Sequence, residues 1–82
     1  MKIEVTAEDI ANGSKLDSES CPIAIAMRRA TGIDCYVGVD DMYIGTHRIE
    51  MPVMVEHKRR LIDWGERIQP FSFDIDWEPT HA

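Results

Sequence analysis

The chain opens on strict alternation. In "KIEVT", Ile3 and Val5 fall on one side and Lys2 and Glu4 on the other, which predicts a first strand. "TAEDIANG" then carries a helix start: Thr6 stands at the N-cap, Asp9 at the capping-box position three residues on, and Gly13 supplies the stop. "SKLDSES" is small and polar, hence a loop, with Leu16 expected to tuck beneath it. "CPIAIAMRRATG" predicts a second helix, with Cys21 as N-cap, Pro22 at its first position and Gly32 just past its end. Ile23, Ala26, Met27 and Ala30 form an i, i+3, i+4, i+7 stripe for the core. Ala24 and Ile25 lie off that stripe, so Ile25 or Ala24 is expected to face a neighbouring molecule.

Period-two patterning returns in "IDCYVGVDDMYIGTH". Cys35, Val37 and Val39 alternate on one strand, Asp40-Asp41 make the turn, and Met42, Ile44 and Thr46 run back. The pattern leaves open whether the second strand continues to Ile49. In "MPVMVEHKRRLIDWGERI" a third helix begins with Pro52 at its first position and pauses at Gly65. Its expected buried stripe is Met54, Leu61 and Trp64, helped by Val53 and the stem of Lys58 or His57, while Glu56 and Arg60 stand at pairing distance. "PFSFDIDW" is the clearest strand: Phe71, Phe73, Ile75 and Trp77 share one face, and Ser72, Asp74 and Asp76 share the other. "EPTHA" reads as a tail, loose from about 79 to 82.

The resulting order, β-α-α-β-β-α-β, defines an α+β fold: a small, largely antiparallel sheet with helices packed on one face. At 82 residues the chain is a single domain, 1–82, without repeats or low-complexity segments. A chain so short has a small core and gains from association, and the breadth of apolar surface on the second helix points to a homo-oligomer.

Charge narrows the partners. The net charge of −6 argues against direct nucleic-acid binding, yet seven of the nine basic residues lie between Arg28 and Arg67. An acidic chain with a basic middle can hold an anion locally. No apolar run suits a membrane span and "MKIEVTAEDI" is not a signal peptide, so a cytoplasmic location is expected.

Candidate chemistry is sparse. Cys21 at a helix start could be a reactive thiol, but no base stands near it in sequence, and capping or core filling explains it. Cys21 and Cys35 match neither a CxxC pair nor a zinc set, and are expected to be reduced and separate. His47, His57 and His81 share no metal-ligand spacing, and Asp40-Asp41 suits a turn better than paired-carboxylate catalysis. Gly32, Gly38 and Gly45 do not form a phosphate loop. Neither an enzyme nor a cofactor is expected. What remains is a set of guanidinium forks and aromatic faces that could hold a nucleotide-like anion: Arg28, Arg29, Arg59, Arg60, Trp64 and Tyr36.

Together, "VTAEDIANG", "CPIAIAMRRATG" and "DWGERIQPFSFDI" resemble a family of small bacteriophage proteins with a TxEDI-like start, a CPIALAL-like helix and a PFSF-type final strand. The resemblance implies a phage accessory protein made in the infected bacterial cytoplasm, and by analogy one that antagonises host defence. The first expectation is sequestration of an anionic ligand, such as a nucleotide immune signal, in a homo-oligomer. The alternative is an inhibitor that binds a host defence protein directly, anti-CRISPR-like or as a nucleic-acid mimic. A small thiol-dependent or hydrolytic enzyme stands third.

Overall fold

The computed structural model describes residues 1–14, 17 and 19–77. The expectations for Leu16 and for the tail at 79–82 lie outside the described residues. Eight elements follow in order: β1 (Lys2–Val5), α1 (Ala7–Asn12), α2 (Pro22–Thr31), β2 (Cys35–Val37), β3 (Asp41–Ile44), β4 (His47–Glu50), α3 (Val53–Asp63) and β5 (Phe71–Asp74). The fold is α+β and its strand pairs are antiparallel. The strands form two small sheets rather than one: β1 pairs with β5, and β2, β3 and β4 form a meander.

Local chemistry explains the ends of the helices. Thr6 Oγ1 accepts from the Asp9 amide at 3.1 Å and Asp9 Oδ2 accepts from the Thr6 amide at 2.9 Å, which is the predicted capping box. Pro22 opens α2, where its missing N–H costs nothing, and Gly32 closes it in the left-handed region at φ 73°. Pro52 caps α3 from outside rather than starting it.

The core is continuous across the two sheets. Ile3 and Val5 of β1, Phe73 of β5, and Cys35, Val37, Met42, Ile44 and Ile49 of the meander all turn inward, with Ile75 and Trp77 extending the face of β5. Helix α2 spans both sheets, packing against β1, β2 and β3, and α1 lies against it. This arrangement corrects the reading of α2. Ala24 is fully buried within the single chain and does not face a neighbour, whereas Ala30 is exposed. A helix touching two sheets and another helix needs apolar side chains on more than one stripe, which buries Ala24 beside Ile23, Ala26 and Met27 and leaves Ile25 half-buried.

Two further corrections concern turns and helix phase. Asp41 begins β3, Val39 is 72% exposed in the connection, and Gly45-Thr46 form a two-residue turn that creates β4, so Thr46 is not a strand residue. On α3 the buried line is Val55 and Ile62, continuing from Met51 before the helix, while Val53 and Trp64 are 83% and 71% exposed. Met54 is exposed too. Of Met54, Leu61 and Trp64 in the expected stripe only Leu61 is half-buried, and the buried side of the helix also carries Arg59, whose side chain is 13% exposed and whose head pairs with Asp63.

Candidate functional site

The six residues expected to hold an anion stand on α2, β2 and α3, and most of their charge is already engaged. Arg29, in the last turn of α2, donates to both carboxylate oxygens of Asp9, at 2.5 and 2.7 Å, and to the Glu4 carbonyl at 2.8 Å. Asp9 is almost wholly buried. The Arg29 guanidinium holds its carboxyl below the ordinary value, helped by the Thr6 amide and hydroxyl against the opposing effect of burial. Arg28 donates to the Glu19 carbonyl. Arg60 pairs with Glu56 at 2.7 Å, as the i, i+4 spacing predicts, and Arg59 with Asp63 at 2.5 Å. Trp64 and Tyr36 are exposed on α3 and β2.

Surface grooves separate these arginines. Arg29 lines one with Lys2, Glu4 and Thr6. Arg59 lines another, of about 240 Å³, with Asp17, Cys21, Val37, Gly38, Val39 and Asp63. In that groove Arg59 Nε is buried with no hydrogen-bond partner, although Nη1 is held by Asp63. Cys21 caps α2 through position only, since its sulfur makes no capping bond. Burial pushes its thiol above the ordinary value, and Cys35 is pushed up for the same reason. Both are free and buried, which disfavours the thiolate and with it nucleophilic chemistry.

A separate cluster of acids lies along β4 and β5. β5 turns Ser72 and Asp74 to solvent, with Asp76 following on the same face. β4 contributes exposed Glu50 nearby, since Glu50, Asp74 and Asp76 line one groove of about 320 Å³ with His47, Arg48, Ile49 and Ile75. Among the described residues none of these three carboxylates has an ion-pair partner. Arg48, the arginine beside them, is turned to Asp41 at 2.9 Å, and that hydrogen bond raises its affinity for its proton. The alternating acids of "FSFDIDW" were visible in the sequence, but the approach of Glu50 depends on the unforeseen strand β4.

Among the described residues no three His, Cys, Asp or Glu side chains gather to hold a metal ion, and no helix is long and apolar enough to cross a membrane. Comparison of the chain with models of protein families, with curated proteins and with solved structures finds no match.

Proposed function

We propose that this chain is a non-enzymatic accessory binding protein of the phage type, which acts in the infected bacterial cytoplasm by engaging a host defence protein through its acidic sheet surface. One observation carries this reading. Among the described residues the carboxylates of Glu50, Asp74 and Asp76 are exposed and have no ion-pair partner, while Arg28, Arg29, Arg48, Arg59 and Arg60 each donate to an acceptor within the chain. Unpaired surface charge is available to steer and orient a basic partner, whereas a paired guanidinium must first give up its carboxylate.

The test uses the intact chain expressed in bacteria that carry a defence system and are challenged with phage. Protection of the phage by the wild-type chain, a stoichiometric complex with one host protein, and loss of both in Asp74→Lys/Asp76→Lys are expected. Full activity of that double variant overturns the reading.

A second reading, capture of a nucleotide or other anionic small molecule by a homo-oligomer, retains two supporting observations: the Nε atoms of Arg28 and of Arg59, the latter in its groove, are buried without a hydrogen-bond partner among the described residues. It predicts a nucleotide-dependent rise in melting temperature that Arg59→Ala abolishes, and no shift across a panel of nucleotides and cyclic dinucleotides removes it.

A further inference from the structure

Strands β4 and β5, from different sheets, line one groove, and among the described residues each has an edge with no strand paired to it. The hydrogen-bond phase of β5 follows from its pairing with the first residues of the chain. The Met1 amino group donates to the Ile75 carbonyl at 2.8 Å, and the Ile75 amide donates to the Met1 carbonyl at 2.9 Å. Met1 and Ile75 are therefore a hydrogen-bonded pair. Antiparallel alternation makes Ile3 with Phe73 the next such pair, in the observed register. The N–H and C=O groups of Asp74 and the N–H of Asp76, which follows the paired Ile75, thus point away from β1.

The same reasoning applies to β4. Its two-residue connection to β3 closes on Ile44 and His47, so Met42 with Ile49 forms the next hydrogen-bonded pair. Arg48 and Glu50 then aim their backbone groups outward from β3. Both free edges line the 320 Å³ groove, and among the described residues no backbone hydrogen bond joins β4 to β5. Ile49 and Ile75, both nearly buried, provide apolar surface in it. The exposed acids Glu50, Asp74 and Asp76 flank it.

We infer that this groove accepts an extended, basic segment of a partner protein as an added strand between β4 and β5. The inference rests on the protein-binding reading above and specifies the chemistry of the partner. Main-chain hydrogen bonds from Asp74, Asp76, Arg48 and Glu50 would hold the segment, as in other cases of strand addition. Period-two geometry then fixes its side chains: small apolar residues turn toward Ile49 and Ile75, and lysine or arginine residues turn outward among the three carboxylates. A second copy of this chain fits poorly, because its own β5 edge would bring Asp74 and Asp76 against the same acids. Exposed strand edges are usually protected in small proteins, and among the described residues the acids beside these edges repel acidic strands and admit basic ones.

The experiment uses the whole chain, isotope-labelled, and a synthetic peptide of alternating valine and lysine. Amide exchange should slow at Arg48, Glu50, Asp74 and Asp76 on peptide addition. The same peptide N-methylated on alternate residues, with its charge unchanged, should bind at least about tenfold more weakly. Asp76→Pro, which removes one groove-facing N–H outside the β1–β5 ladder, should weaken binding of the unmethylated peptide, with Asp76→Asn as its control for lost charge. Equal binding of the two peptides, or protection that falls elsewhere, overturns strand addition. So does amide protection that rises with protein concentration alone, the mark of self-association. Capture of a host protein without protection at these amides refutes the inference and leaves the protein-binding reading intact. Protection by the peptide with no host complex supports the groove and refutes the host target.

Discussion

Replacing Arg29 with alanine asks whether this arginine is a structural brace or an anion-binding group held in reserve. The side chain bridges the last turn of α2 to the first turn of α1 through Asp9, and to β1 through the Glu4 carbonyl. Its loss leaves the Asp9 carboxylate, 3% exposed, with the Thr6 amide as its remaining partner. A charge-assisted hydrogen bond contributes about 1.5–3 kcal/mol. Half of the Arg29 side chain is in water, which screens the pair and places the cost at the lower end, about 1.5–2 kcal/mol. For a domain of this size each kcal/mol moves the melting temperature by about 4–8 °C, so a fall of about 6–16 °C is expected.

The pH dependence gives an independent check. Because Arg29 holds the folded Asp9 carboxyl below its unfolded value of 3.8, the stabilisation is fully present above that value and is lost as the pH falls through the lowered one. Thermal melting followed by circular dichroism through the acid range should show a steep loss for the wild-type chain below about pH 4, flattened in Arg29→Ala. Asp9→Asn should share most of the loss, and the double variant should cost less than the sum. A melting temperature within about 2 °C of wild type, or an unchanged acid slope, would refute the brace and return Arg29 to the pool of free cations.

Three further outcomes follow from packing. A Cβ on Gly13 would lie 2.4 Å from Pro22 Cγ, whereas one on Gly32 meets nothing within 4 Å but sits at φ 73°. Gly32→Ala should therefore cost about 1–2 kcal/mol in urea unfolding and Gly13→Ala at least as much, with a larger loss for Gly32→Ala refuting the steric account. Cys21 and Cys35 are 4% and 1% exposed, so Ellman's reagent should label both only after denaturation, and rapid labelling of Cys21 in the native chain would revive thiol chemistry. Trp64 is 71% exposed and Trp77 is 6% exposed. Iodide should quench Trp64 and spare Trp77, and Trp64→Ala should change stability by no more than about 0.5 kcal/mol. A larger loss would show that Trp64 is covered in solution.

Period and capping were legible wherever chemistry is local. The Thr6–Asp9 box, Pro22 and Gly32 around α2, the Glu56–Arg60 pair and the inward face of Phe73, Ile75 and Trp77 all depend on residues within a few positions of one another. The phase of α3 was not legible. That helix carries two stripes with apolar content, Val53–Met54–Leu61–Trp64 and Val55–Ile62, and periodicity alone favours the larger. The smaller one is buried because it continues from Met51 into the core, and the mostly buried Arg59 between its two residues satisfies its head with Asp63.

Site chemistry divides along the same line. The presence of arginines in the middle of the chain and of alternating acids in "FSFDIDW" was written in the sequence. Which of those charges stays available was not, since neutralisation is a matter of distance. Asp9 and Arg29 are 20 residues apart in the chain and 2.5 Å apart in space. By itself, then, the sequence determined seven of the eight elements, the capping box of α1 and the glycine end of α2, because these follow from short-range backbone geometry. Only the tertiary structure decided that the strands split into two sheets, that Arg28, Arg29, Arg48, Arg59 and Arg60 each donate within the chain, and that Glu50 joins Asp74 and Asp76 beside the edges of β4 and β5. Those outcomes arise from contacts between segments distant in sequence, where packing and charge pairing select among patterns that local propensity leaves equivalent.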